Sequence, residues 1–229
     1  MLINIHNKTK DFNTYRAQRV KSMFNPEKGN EFFLNAEIDL PNDWQLGVVV
    51  GPSGTGKTSI GKSFFIDTGI TDLYSGWDYN KPIVDCIAPE GDFNLVTGSL
   101  ASVGLGDVPS WLRPFNALSN GQQFRAGLAR IICSDTPNVV IDEFTSVVDR
   151  QIAKIGALAF SKSWKRQKGR KAVLLSCHYD IIDWLEPDWV FDTGTGEFKK
   201  KTAGSDQNSS WKFGRSIQLT GNILSRIII

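Results

Sequence analysis

The segment Gly51-Pro52-Ser53-Gly54-Thr55-Gly56-Lys57-Thr58 follows the apolar run Leu46 to Val50 and precedes a stretch holding Ile60, Phe64 and Phe65. Glycines at this spacing let a backbone wrap closely around an anion, so that several N–H groups and a helix N-terminus face it. Lys57 then reaches the outer phosphates of a nucleotide, and the Thr58 hydroxyl is suited to ligate Mg²⁺. A second run, Val139-Val140-Ile141, ends in Asp142-Glu143, two carboxylates where a buried strand is expected to emerge at its ligand-binding edge. Burying such a pair without a cation is costly. The pair predicts Asp142 as the Mg²⁺ residue and Glu143 as the general base that polarises an attacking water. An acidic pair ending a strand is also common without any such role.

Ser119-Asn120-Gly121-Gln122 has the form of a capping box, a serine followed three residues later by glutamine, and capping alone accounts for those residue types. A helical stretch, Gln123 to Arg130, follows it. Read together with the phosphate-binding loop and the acidic pair, Leu118 onward resembles the signature and following helix of the ATP-binding cassette (ABC) ATPases. The neighbouring pieces then fall into that family's order. Ser146-Val147-Val148-Asp149 is similar to its dimer-facing loop, and Leu175-Ser176-Cys177-His178 to its switch strand and histidine. The likeness covers residues 34 to 198.

The resemblance implies an ATP hydrolase with ATP and Mg²⁺ as its nucleotide and metal. Two copies would sandwich ATP, with Gly51, Pro52, Ser53, Gly54, Thr55, Gly56, Lys57 and Thr58 of one facing Ser119, Gly121 and Gln122 of the other. It further implies that His178 contacts the γ-phosphate and helps orient Glu143, that Lys57 acts in catalysis, and that Asp149 lies at the dimer seam. Otherwise a lone histidine ending a strand is mostly a capping or surface residue. Two departures stand out. Asn120 replaces a glycine usual in the signature, and no glutamine occurs between Gln45 and Gln122 to link Mg²⁺ to the helical lobe, with Glu90 and Asp92 as the candidate substitutes. The adenine platform falls to Phe24 or Phe32, either of which is equally a core residue.

These residues need elements to hold them. Leu34 to Leu40 alternates apolar and polar, the period of a half-buried antiparallel strand, and Pro41-Asn42-Asp43 ends it. Leu46 to Val50, Val139 to Ile141, Ala172 to Leu175 and Trp189 to Phe191 are continuous apolar runs, as parallel strands covered on both faces require. Ile152, Ile155, Leu158 and Ala159 recur at helical spacing, with Gly156 as a weakness inside that helix and Gly169 placed as its C-cap. The expected fold is an α/β P-loop NTPase, a doubly wound, mostly parallel sheet with an antiparallel β layer. The short interval between Lys57 and Leu118 predicts a shortened helical lobe, although Ala101 to Asp107 still resembles the end of one.

The chain has 229 residues, 41% hydrophobic and 22% charged, enough for one sizeable core, and its formal charge of +2 argues for no polyanion partner by itself. Its three cysteines, Cys86, Cys133 and Cys177, lack metal-ligand spacing and read as reduced, buried thiols. No apolar run approaches the ~18 residues of a membrane span, and Met1-Leu2-Ile3-Asn4 lacks the regions of a secretion signal, so a cytoplasmic protein is expected. Lys162, Lys165, Arg166, Lys168, Arg170 and Lys171 crowd around Trp164 at the sheet edge opposite the nucleotide. They form either a grip for a nucleic-acid backbone or a solvated helix end whose cations complement the dipole.

The expected organisation is an N-terminal segment (1–33), the ATPase domain (34–198) and a basic, polar extension (199–229) that includes Trp211, Phe213 and Ile227-Ile228-Ile229. That extension is either a packed arm or the opening of a further domain. The leading expectation is an ATP-driven homodimerisation switch in a non-transport process, related to nucleic acid or defence, without a membrane partner. The short lobe also resembles ABC ATPases fused to acetyltransferase-like domains. The alternatives are the ATP-binding subunit of a transporter and an ATP-dependent binding module with negligible turnover.

Overall fold

The computed structural model describes residues 1–8, 10–24, 31–65, 67–201 and 211–213, without the side chains of 31, 32 and 211–213. The chain runs β1 (Leu2–Lys8), α1 (Tyr15–Phe24), β2 (Glu31–Glu37), β3 (Leu46–Val50) and α2 (Lys57–Phe64). Three short helices follow, α3 (Ile83–Cys86), α4 (Phe93–Ser102) and α5 (Val108–Trp111), then a 3₁₀ turn (Phe115–Ala117) and the long α6 (Asn120–Cys133). After them come β4 (Asn138–Ile141), α7 (Arg150–Lys165), β5 (Lys171–Ser176), α8 (Ile181–Leu185), β6 (Trp189–Asp192), β7 (Glu197–Lys201) and β8 (Trp211–Phe213).

The main sheet has the order β4-β5-β3-β6-β7-β8. Its first four strands are parallel, and β7 and β8 are antiparallel additions. The four apolar runs of the sequence are β4, β5, β3 and β6, and their continuity has a simple cause. Val48, Val50, Ile141 and Leu174 enter one core under α4, α6 and α7, while Val49, Val140, Val173 and Leu175 enter the other, beneath α2 and the β1–β2 hairpin. That hairpin is the antiparallel layer, in register from Leu2 opposite Glu37 to Lys8 opposite Glu31. Among the described residues between α2 and α6 lie the three short helices and the 3₁₀ turn, the shortened lobe.

Three expectations need correction. The buried face of α7 is Ala153, Gly156, Ala157, Phe160, Ser161 and Trp164, whereas Ile155 and Leu158 are exposed. α6 and α7 pack so closely that a Cβ on Gly156 would stand 2.5 Å from Phe124 Cε1, so smallness and not hydrophobicity marks the contact. Gly169 is not the C-cap, because α7 ends at Lys165 with Arg166 as its cap. Gly169 instead takes a left-handed conformation in the turn that follows. Nor are the thiols uniformly buried: Cys133 is, Cys86 is half-buried, and Cys177 is exposed at the end of β5.

Half of the basic cluster is spent on structure. The Arg170 guanidinium donates to the carbonyls of Ile131, Ile132 and Thr136 and lies 4.0 Å from the Trp164 ring. Lys165 donates to the carbonyls of Leu185 and Glu186, and Lys171 sits over Trp44. Lys162, Arg166 and Lys168 remain exposed. Residues 227–229 lie outside the described residues.

Candidate functional site

The carboxyl ends of β3, β5 and β4 form one edge, where open α/β sheets bind ligands. β3 delivers the phosphate-binding loop. Gly51 has a φ of +146°, and a Cβ there would fall 2.1 Å from Thr193 Oγ1. Only glycine lets the loop settle so closely onto the turn after β6. Thr193 is fully buried and anchors that seat, its hydroxyl donating to Val50 O at 3.0 Å and sharing a 2.5 Å hydrogen bond with Thr55 Oγ1. Sequence reasoning missed Thr193. Its signal was the turn-rich Asp192-Thr193-Gly194-Thr195-Gly196 at the end of an apolar run.

Gly56, left-handed at φ +86°, turns the loop into α2. The α2 N-terminus has no side-chain cap, which leaves its first N–H groups and positive dipole end for an anion. Lys57 Nζ folds back onto Gly51 O at 2.9 Å and Pro52 O at 2.7 Å, so the ammonium lies along the loop. Pro52, Ser53 and Gly54 are exposed, and Thr55 is buried.

The Thr58 hydroxyl donates to Asp142 Oδ2 at 2.6 Å, joining the loop helix to the end of β4. The other carboxylate oxygen of Asp142 accepts from the Glu143 amide at 2.8 Å. Among the described residues no three His, Cys, Asp or Glu side chains gather into a metal cage. A hydroxyl beside a single carboxylate matches a hard cation such as Mg²⁺, which completes its shell with water and phosphate oxygens. The residues present therefore fit Mg²⁺.

Glu143 stands at φ +50°, a backbone state rare for a residue with a side chain. The turn holding it is fixed on both sides. Phe144 N donates to Leu175 O at 2.8 Å, the Ser176 hydroxyl donates to Phe144 O at 3.1 Å, and His178 N donates to Ser176 Oγ at 3.0 Å. One buried hydroxyl thus bridges the turns that carry Glu143 and His178. Neither the Glu143 carboxylate nor the His178 imidazole has a described hydrogen bond, and Glu143 is exposed while His178 is half-buried. Next to His178, the Tyr179 hydroxyl donates to Asp192. Burial, with help from that carboxylate, pushes its pKa up to about 12.

Ser119 is an exposed N-cap with both halves of the capping box formed. Ser119 Oγ accepts from Gln122 N at 3.4 Å and Gln122 Oε1 accepts from Ser119 N at 3.0 Å, while the Gln122 amide donates on to Ser110. Gly121 is buried, and a Cβ there would come 2.6 Å from Ile152 Cδ1. No described hydrogen bond or ring contact joins this helix start to the phosphate-binding loop. Asp149 caps α7, accepting from Gln151 N and Ile152 N at 3.0 Å. Burial lowers the Arg125 pKa while the charge of Asp149 raises it.

Asp92 caps α4 through Asn94 N and Leu95 N, and Glu90 is exposed, so neither carboxylate is brought to Asp142 by a described contact. The segment that does reach the β4 edge is Thr71, which pairs in parallel with Ile141 and donates to Val140 O at 2.7 Å. The loop after it is stapled to α6, where the Arg130 guanidinium donates to the carbonyls of Asp72, Ser75 and Gly76 and lies 4.1 Å from the Trp77 ring. Of the adenine candidates, Phe24 is exposed at the end of α1. Phe32 pairs with Asn7, whose amide donates to Ser59 Oγ in the first turn of α2, and its side chain is outside the described residues. A further exposed ring pair, His6 stacked 4.1 Å from Phe33, lies on the same hairpin.

Solved structures share this architecture. A dimeric structure of a bacterial ABC transporter cassette matches with a TM-score of 0.55 at 14% identity, over 84% of this chain and 94% of that one. A post-hydrolysis dimer of the same cassette bound to ADP and Pi matches with a TM-score of 0.58 at 14% identity, over 87% and 98%. The fold is that of the ATP-binding cassettes, a P-loop NTPase with a mostly parallel sheet and an added antiparallel sheet.

Among curated proteins, the chain is 24% identical over 188 residues to the achromobactin transport ATP-binding protein CbrD of Dickeya dadantii (strain 3937), spanning 63% of this chain and 69% of that protein. It is 37% identical over 84 residues to the cytochrome c biogenesis ATP-binding export protein CcmA of Hahella chejuensis (strain KCTC 2396), spanning 36% of this chain and 37% of that protein. No protein-family model matches the chain.

Proposed function

We propose that this chain is an ABC-type ATPase that binds ATP and Mg²⁺, hydrolyses ATP, and uses the nucleotide to bring two copies together. The observation that carries the reading is the single sheet edge on which Thr58 meets Asp142, with Glu143 in the next position and His178 tied to its turn through Ser176. In this reading the loop amides, the α2 N-terminus and Lys57 hold the phosphates, with Lys57 leaving its two carbonyl partners to do so. Thr58 and Asp142 would hold Mg²⁺, which when bound would supply positive charge to the phosphoryl oxygens. The exposed Glu143 carboxylate is free to take a proton from water, and His178 to hydrogen-bond the terminal phosphate. Ser119 and Gly121 complete the site of a second copy, and Asp149 lies beside that seam.

The Glu143→Gln variant tests this. It is expected to bind ATP without turnover and to run as a dimer with ATP and Mg²⁺ but as a monomer with ADP in size-exclusion chromatography. A monomer under saturating ATP would defeat the sandwich.

The process driven has two readings. Transport or export appears in the names of both curated relatives, which favours an ATP-binding subunit of a transporter. The exposed lobe residues Phe93, Val108 and Leu112 would then meet its membrane component. Co-purification of a membrane protein lost on Phe93→Ser/Leu112→Ser tests it. A non-transport role acting on nucleic acid loses support from the basic cluster, since Arg170, Lys165 and Lys171 are occupied within the fold.

A further inference from the structure

Where a tight turn would close the β1–β2 hairpin, residues 9–30 intervene and carry α1. This helix buries none of its residues: Tyr15 is 76% exposed, Val20 53%, Met23 67% and Phe24 72%. Its described side-chain hydrogen bonds all close within residues 11–22, including Gln18 to Asn13, Arg19 to Tyr15 and Lys21 to Asp11. A helix this short is marginal in water without a surface to pack on, and among the described residues none buries any residue of it.

The distribution of side chains around α1 identifies the missing surface. With successive residues about 100° apart, Met23, Arg16, Val20, Phe24 and Ala17 occupy one arc of about 120°. Arg19 borders that arc on one side and Lys21 on the other, while Gln18 and Ser22 lie opposite. A shallow groove of about 380 Å³ between the helix and the preceding segment is lined by Phe12, Arg16, Ala17, Val20 and Lys21 among others. Residues 10–24 contain four cations, Lys10, Arg16, Arg19 and Lys21, against the single carboxylate of Asp11.

We infer that α1 is an interfacial helix that lies on an anionic lipid surface, with Met23, Val20, Phe24 and Ala17 among the acyl chains and with Arg19 and Lys21 beside them, and Arg16 between them, reaching up to the headgroups. Long basic side chains on both borders of an apolar arc can bury their stems and keep their charges at the headgroup level. A phosphodiester backbone would use the cations and aromatic rings but has no use for Val20, Met23 and Ala17 on the same face. The inference does not rest on the ATPase reading. The helix is rooted at the hairpin end where Asn7 reaches Ser59, so a docked membrane would lie close to the start of α2.

The test is co-sedimentation of the full chain with vesicles of phosphatidylcholine alone or mixed with phosphatidylglycerol. Three net charges at a factor of about five each predict roughly a hundredfold stronger partitioning onto the anionic vesicles, weakened by salt. Val20→Ser/Met23→Ser, at unchanged charge, is expected to lower binding about tenfold while melting temperature and nucleotide binding stay as in the wild type. Arg16→Gln/Arg19→Gln should lower it further. Equal partitioning onto both vesicle types overturns the inference, as does undiminished binding by the serine variant. Preferential capture by duplex DNA or single-stranded RNA in competition with the vesicles overturns it too.

Discussion

The two parts of this chain that the ATPase reading turns toward nucleotide are finished to different degrees. At the phosphate-binding edge the backbone and several side chains are held from behind: Thr55 and Gly51 by Thr193, Thr58 by Asp142, and the Glu143 turn by Leu175 and Ser176. At the start of α6, Ser119 and Asn120 are exposed, and the described side-chain hydrogen bonds there stay within the helix start, Ser110 and Phe115 O. A rigid cradle on one side and a self-capped, open helix start on the other are what a site completed by a second copy requires. The first can be tested by loss of turnover, the second by loss of assembly.

The largest expected effects fall on the cradle. Glu143→Gln should lower phosphate release by about 10²–10⁴-fold with ATP affinity retained. Lys57→Ala should lower turnover by a similar factor and weaken ATP binding as well. If Lys57→Ala binds ATP normally by equilibrium dialysis, its role at the phosphates is wrong.

Next comes a pair that separates the capping role of Ser119 from its assembly role. Ser119→Asp keeps a competent cap, so melting should be unchanged, but it aims a negative charge at the neighbour's triphosphate and should abolish ATP-driven dimers. Ser119→Ala should cost about 1 kcal/mol of stability through the lost cap. Dimers of Ser119→Asp as tight as wild type would place this helix start away from the seam.

Two glycines sharpen the contrast further. Gly51→Ala forces both a disfavoured φ and a collision with the buried Thr193 hydroxyl, and should cost about 2–4 kcal/mol by chemical denaturation. Gly121→Ala meets only side-chain atoms of Ile152, its Cδ1 at 2.6 Å and its Cγ2 at 3.2 Å, keeps an ordinary helical φ and gains helix propensity, so its melting temperature should shift by less than about 4 °C. The smallest effect is chemical. Exposed Cys177, between Ser176 and His178, should react first with a thiol reagent and be protected by ATP in the Glu143→Gln variant. Cys133, whose pKa burial raises, should react last.

The four central strands were legible because strands covered on both faces must be apolar at every position, and Leu46 to Val50 has no other economical reading. The phosphate-binding loop and the acidic pair were legible because their chemistry fixes residue types at fixed spacings. The face of α7 was not, since Ala153, Gly156 and Ala157 are buried for their size, while the more hydrophobic Ile155 and Leu158 face outward. Thr193 escaped because the room for it is left by Gly51, distant in sequence, and an absent side chain leaves no pattern to read. β1 escaped too, although Ile3 and Ile5 alternate with polar neighbours as a half-buried strand would.

The Arg130 staple has a mechanical consequence. Because one guanidinium grips three carbonyls of the loop that leaves Thr71, those of Asp72, Ser75 and Gly76, α6 is tied to the segment paired with Ile141 as by a rod. A tilt of α6 would therefore be carried through this loop to the flank of Asp142 without passing through the sheet's interior.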